Sequence, residues 1–241
     1  MPLPKIELPV YDFTIPSNGK TIRVRPFTVK EEKLLLMAIE SKTASDIIAS
    51  VKQVINNCIQ DDAIDVDKLP FFDIDYLFIF LRAKSVGESA AVTLTCNNEL
   101  EDGTVCNHKF ATEVDVANVE LVRYEGVQDD IKLGPASGVR MRYPNYGIMR
   151  KIEELPEIDK KMHIIVSSID YVYDKTGMHS YKDYTTEELK DFVEGLTEEN
   201  YKKLEAYVDR FPTIRGRIKA ECPKCGFNHD VRYTEFYDFF I

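Results

Sequence analysis

Tyr11-Asp12-Phe13-Thr14-Ile15 and Thr21-Ile22-Arg23-Val24-Arg25 alternate apolar and polar positions with period two, and Ser17-Asn18-Gly19 between them supplies turn residues. Side chains of a strand point to opposite faces in turn, so this pattern predicts a β-hairpin. Pro26 stops it. Thr28 and Glu31 then stand at the spacing of a capping box and predict a helix through Leu34, Leu35, Met37, Ala38 and Ile39. Ile47, Ile48, Val51, Val54, Ile55, Cys58 and Ile59 form one apolar stripe of helical period, which predicts a second helix. A third is predicted over Ile74 to Lys84, capped by Asp73. The loop before it carries Asp61, Asp62, Asp65 and Asp67 but lacks the glycine and glutamate of a calcium loop, and it reads as solvated.

Alternation returns twice around cysteines. Val92 to Thr95 leads into Cys96 and Phe110 to Val116 follows Cys106; Thr213 to Glu221 leads into Cys222 and His229 to Phe236 follows Cys225. Between these, Val119 to Tyr124 and Ile131 to Leu133 read as short strands or loop, and Val139 to Tyr143 alternates up to Pro144. Gly134-Pro135-Ala136-Ser137-Gly138 is a turn without the Lys-Ser/Thr pair of a phosphate loop. From Asn145 to about Arg210 the pattern predicts helices over 146–155, 160–173, 186–193 and 198–210, with a turn at 174–177 and a second capping box at Thr185 and Glu188. Pro212 ends the set. The aromatic residues Phe236, Tyr237, Phe239 and Phe240 read either as packed on their own domain or as docking into a partner. The expected class is α+β: residues 1–88 a hairpin and helical part, 89–144 with 211–241 a zinc-ribbon-like β platform, and 145–210 a helical insertion.

The cysteines carry the candidate chemistry. Cys96 and Cys106 enclose nine residues, Cys222 and Cys225 enclose two, and each pair is half of a four-thiolate set. Zinc takes such a set as a closed tetrahedron with no open position, so Cys96, Cys106, Cys222 and Cys225 are the candidate ligands of a structural Zn2+. The long first spacing, with Gly103 as its turn residue, departs from a compact knuckle. His108 and His229 follow their knuckles closely and are candidates to replace a thiolate. A vestigial site without metal and a pair of disulfides stand as alternatives. Cys58, the fifth cysteine, lies on the apolar stripe of its helix and reads as core.

Composition narrows the partners and the compartment. There is no apolar run long enough to span a membrane and no charged-then-apolar leader, so neither a span nor a signal peptide is expected. In the cytoplasm that this implies, paired cysteines hold metal more often than they form disulfides. A formal charge of −10 and a pI near 5.0 count against nucleic acid as a partner. No nucleophile elbow is present and no Cys/His pair lies outside the knuckles. Glu153 with Glu154 and Glu187 with Glu188 are helix neighbours that point apart, and His163 sits in an apolar run as a core or boundary residue.

Arg25-Pro26-Phe27-Thr28-Val29-Lys30-Glu31-Glu32-Lys33, Leu81-Arg82-Ala83-Lys84-Ser85-Val86-Gly87-Glu88 and the two knuckles together resemble the baseplate hub family of T-even-type contractile-tailed phages, over nearly the whole chain. The resemblance implies a non-enzymatic role in building the central hub of the tail baseplate. It implies assembly in the host bacterial cytoplasm, a place in the virion, other hub and tail proteins as partners, and multiple copies in a symmetric assembly, without nucleic acid or membrane. Two roles share the family, a hub subunit and an assembly factor not retained in the finished tail. The opening hairpin and helices are also similar to tail-assembly chaperones. A zinc-dependent or carboxylate-using hydrolase is the reading from another class, and an open zinc position is what would favour it.

Overall fold

The computed structural model describes residues 6–61 and 64–234. Among these residues the chain is α+β, with small antiparallel sheets and seven α-helices. It divides into two compact units, one formed by Met1–Ile64, Phe72–Val122 and Thr213–Ile241, the other by Asp65–Phe71 and Arg123–Pro212. The aromatic run at Phe236, Tyr237, Phe239 and Phe240 lies outside the described residues, as does Asp62. No helix among the described residues is long and apolar enough to cross a membrane.

The first unit opens with the expected hairpin, β1 (Tyr11–Thr14) against β2 (Thr21–Val24), with Tyr11 opposite Val24. Period-two alternation sends Phe13, Ile15, Ile22 and Val24 inward, each at most 3 % exposed. Helix α1 (Val29–Ser41) starts at the predicted capping box: the Glu31 carboxylate accepts the Thr28 amide at 2.7 Å. Helix α2 (Ala44–Cys58) buries Val51, Val54, Ile55 and Cys58 from its stripe. Helix α3 starts earlier than predicted, running Phe71–Ser85 directly after Pro70, which cannot donate in a first turn and suits that place. Asp73 therefore sits inside the first turn, where its Oδ1 accepts the Ser17 amide at 2.9 Å and anchors the hairpin turn. Phe72, Ile74, Leu77, Phe78, Ile79 and Leu81 are all buried, so α3 is apolar around most of its circumference and serves as the unit's central helix.

The two stretches that suggested a family meet in this unit. Ser85 Oγ accepts the Phe27 amide at 2.9 Å and donates to the Leu81 carbonyl at 2.6 Å. The buried Arg82 donates from Nη1 to the carbonyls of Gly87 and Ser89, tying the end of α3 to the chain that leaves it. Gly87 has a φ of 126°, which a side chain would strain, and it lets the chain turn there. Arg25 forms a bidentate pair with Glu31, at 2.7 and 3.0 Å. That pair and the Thr28 bonds hold the Glu31 carboxyl down at about 2 against the opposing effect of burial.

Strands β3 (Ser89–Thr95) and β4 (Lys109–Asp115) pair from Ser89 opposite Asp115 to Thr95 opposite Lys109. The strand β5 (Glu120–Val122) lies at one edge of a second sheet whose other members are β10 (Thr213–Glu221) and β11 (Asn228–Tyr233). Ala90, Val114, Val116 and Ile218 form the core between these strands, with Tyr233 packed against it.

The second unit holds a four-stranded sheet in the order β6 (Asp130–Gly134), β7 (Ser137–Met141), β8 (Ile169–Tyr173), β9 (Met178–Ser180). Its helices are α4 (Met149–Glu153), α5 (Glu157–Ser167), α6 (Thr186–Glu194) and α7 (Glu198–Val208). The helix expected over 160–173 is corrected: it ends at Ser167, and the rest is strand. Ile165 and Ile169 keep helical spacing, which made the reading plausible. The backbone turns at Ser168, whose hydroxyl donates back to the Ile164 carbonyl at 2.7 Å, and Met141 opposite Ile169 and Val139 opposite Val172 then place β8 beside β7. Thr185 and Glu188 form the second capping box as expected. Ile131, Val139, Ile165, Ile169, Leu189, Val193 and Leu204 form the core.

The sheets use one device twice. Gly138 stands directly opposite Tyr173, and Gly216 directly opposite Tyr233. In both pairs the tyrosine ring occupies the space a Cβ would need, and at Gly138 the Ile131 carbonyl closes it from behind at 2.7 Å. Gly138→Val and Gly216→Val are each expected to cost about 1–3 kcal/mol in urea denaturation, the usual penalty of overpacking. Gly195→Ala, with a φ of −77° and a nearest contact at 3.4 Å, is expected to leave the midpoint unchanged or raise it.

Candidate metal centre

The two knuckles converge although they are far apart in sequence. Cys96 Sγ lies 3.6 Å from Cys225 Sγ, and Cys106 Sγ lies 4.0 Å from Cys222 Sγ. All four sulfurs fall within 4.8 Å of one another. Cys96, Cys106 and Cys222 are buried and Cys225 is half-buried. A tetrahedron of sulfurs around zinc at ~2.3 Å has edges of ~3.8 Å, so the spacing fits that ion closely. Disulfide sulfurs stand at ~2.05 Å, and the cysteines here are free.

The long first knuckle closes because its extra residues fold back on themselves. Glu99 bridges to Val105, the Leu100 amide donates to the Thr104 carbonyl at 2.8 Å, and Gly103 turns with a φ of 79°. The Cys106 amide then reaches the Asn98 carbonyl at 2.9 Å, so the insertion is a small hairpin standing on an otherwise compact knuckle. In the second knuckle the Gly226 amide donates to the Cys222 carbonyl at 2.9 Å. Each knuckle places a left-handed residue directly after its second cysteine: Asn107 with a φ of 50°, Gly226 with a φ of 71°. Asparagine and glycine are the residues that adopt this conformation most readily.

Donors surround the sulfurs. The Phe227 amide donates to Cys225 and, chiefly through that bond, draws its thiol down to about 7, while burial pushes the Cys96 thiol up to about 12. Asn98 Nδ2 lies 3.7 Å from Cys225 Sγ, and Lys224 Nζ lies 3.5 Å from the Cys106 carbonyl. Four sulfurs this close cannot all ionise by themselves, since each thiolate repels the others and loses water. A divalent cation removes that conflict, and the donor set of four cysteines suits a soft or borderline ion. Asn98 was not singled out from the sequence. Its signal lay in its place two residues after Cys96, where its amide also bonds that sulfur, as Phe227 does two residues after Cys225.

The histidines stand outside the cluster of four. His229 is buried between Phe110 and Phe227, with ring centroids 5.8 and 4.9 Å away. His108 stacks on Phe110 at 6.3 Å. Both rings contact Phe110, which joins the cysteines in one buried cluster. Cys58 lies apart in the first unit's helical core, fully buried, with its thiol pushed up to about 12 chiefly by that burial. Of the acidic loop, Asp61 accepts the Arg23 amide at 2.6 Å and Asp65 pairs with Lys68 at 2.9 Å.

Residues 8–241 match the family described as T4 bacteriophage base plate protein. The chain belongs to that family. Its partners are thereby sought among phage base plate proteins. No curated protein and no solved structure matches the chain.

Proposed function

We propose that this base plate protein is a structural subunit of the central hub of the phage tail, built to present rigid interfaces, and that one zinc ion clamps its β platform. The observation that carries the reading is the four-cysteine cluster inside a chain of base plate family. Cys96, Cys106, Cys222 and Cys225 would hold the ion as four thiolate donors, a closed set that leaves no position for water. The clamp holds β3 and β4 to β10 and β11, and these strands carry the platform's core. A part bearing mechanical load in a tail gains from such a cross-link, because it does not depend on a large apolar core.

Quantitative peptide mass spectrometry of gradient-purified phage particles against whole lysate tests the hub role. A hub subunit is expected at a fixed ratio to the tail sheath protein, at a few copies per tail. Abundance in lysate with loss from particles would overturn it in favour of an assembly factor that leaves before the tail is complete. The opening hairpin with its following helices, similar to tail-assembly chaperones, is the feature on which that second reading rests.

A further inference from the structure

The core face of the second unit's sheet can be followed across one row. Ile131, Val139, Val172 and His179 stand opposite one another in turn on β6, β7, β8 and β9, so their side chains share a face. Ile131 and Val139 are buried, Val172 is half-buried, and the His179 side chain is 38 % exposed. The helical cover thus runs out toward β9. There, Val172 and His179 from the sheet, Leu189 and Phe192 from α6, and Tyr184 enclose a cleft of about 430 Å³. His179 Nδ1 stands 2.9 Å from Tyr184 Oη, which fixes that wall.

The sheet edge beside this cleft is open. β9 ends the four-stranded order. The Asp174 amide donates to the Gly177 carbonyl, and bonded pairs alternate along an antiparallel ladder, so the backbone of Met178 points away from β8. The Met178 side chain is exposed as well. At the opposite edge, by contrast, the Leu133 carbonyl next to the end of β6 accepts Asn200 Nδ2 at 3.0 Å. An edge left uncovered is a template for another strand. The charged residues lining the cleft are both acids, Asp174 and Glu188. Bonds from Thr176 and from the Thr185 amide hold them below the ordinary carboxylate range, so both are ionised at neutral pH. Asp174 follows Val172 by two positions and so continues the same face.

We propose that β9 accepts an extended segment of another base plate protein as an added strand, with an apolar side chain seated in the cleft and a lysine or arginine two positions along facing Asp174 and Glu188. Charge selects this occupant. A wholly apolar segment would strip water from two carboxylates without pairing them, and an acidic one would be repelled. The inference rests on membership of the base plate family and not on the hub role or the ion.

Peptides of about twelve residues, tiled on an array across the base plate proteins of the same phage with this chain included, test it with the purified full-length protein. The tiles that bind are expected to carry an apolar residue with a lysine or arginine two positions away. Asp174→Asn combined with Glu188→Gln removes both charges while keeping the turn and the cap, since the side-chain amides still accept those bonds. That double variant, and Met178→Pro, which deletes an outward amide, should each weaken those tiles severalfold. Tyr184→Arg, which puts a positive charge on the exposed wall, takes the place of Met178→Pro if the latter does not fold. An array without binding tiles, tiles that bind all variants equally, or variant-sensitive tiles lacking a lysine or arginine would overturn the proposal. Variant-sensitive tiles confined to this chain's own sequence would also overturn it, assigning the edge to a second copy.

Discussion

Cys225→Ser is expected to reduce bound zinc from one ion per chain to none and to lower the stability of the first unit by on the order of 5 kcal/mol. The magnitude follows from the geometry. Three of the four cysteines are buried and their sulfurs stand 3.6–4.0 Å apart across the two knuckles, so losing the ion removes the bonds that join those knuckles. The core around them is small, Phe110 with Leu94, Leu100 and Ala220, and does not replace what the ion contributes. A strong chelator applied to the unmodified protein should lower the thermal midpoint in the same way. Cys58→Ala, in the helical core away from the cluster, should keep the full metal content while costing about 1–2 kcal/mol of packing. Metal analysis of freshly purified protein that finds no zinc together with four reactive thiols would end the clamp reading.

Arg25→Met is the second large effect, expected to cost about 3–5 kcal/mol in urea denaturation at neutral pH. It removes both guanidinium bonds to Glu31 and leaves a carboxylate that is 5 % exposed with only Thr28 to satisfy it. The cost comes from that stranded charge, so changing Glu31 to Met as well should recover most of it, less the contribution of the cap. The pH dependence has a definite sign. Glu31 is held at about 2 in the folded protein, below its ordinary 4.5. Its contribution is therefore fully present above pH 4.5 and is lost as the pH falls toward 2. Over that window it amounts to about 3 kcal/mol. The stability gap between the unmodified protein and Arg25→Met should accordingly narrow between pH 5 and pH 3. A gap that stays constant with pH would show that Arg25 acts through packing instead of charge.

Much of this was legible in the sequence, for physical reasons particular to each element. The hairpin at Tyr11 to Val24 and the helices capped at Thr28 and Thr185 follow from alternation and cap chemistry, which are local. The four cysteines were legible as one set because metal chemistry demands four soft donors, and the structure brings those four together. The strand at Ile169–Tyr173 was not legible: Ile165 and Ile169 keep helical spacing, and only pairing with β7, a distant segment, settles the backbone there. The closing of the long first knuckle was hidden for the opposite reason. Its solution is local, but Asn98, Gly103 and Asn107 have distinct parts that become visible only together.

The separation between the two knuckles, 116 residues from Cys106 to Cys222, also sets a clock. A ribosome adding ~5–20 residues per second needs on the order of ten seconds to make that stretch. Through this interval Cys96 and Cys106 stand as a half-site, two thiols on a finished hairpin with no partners yet synthesised. Everything between the knuckles, including the second unit's four-stranded sheet, is made before the first can close. On the proposed clamp, the platform closes only after residue 225 has emerged and an ion has joined the two half-sites.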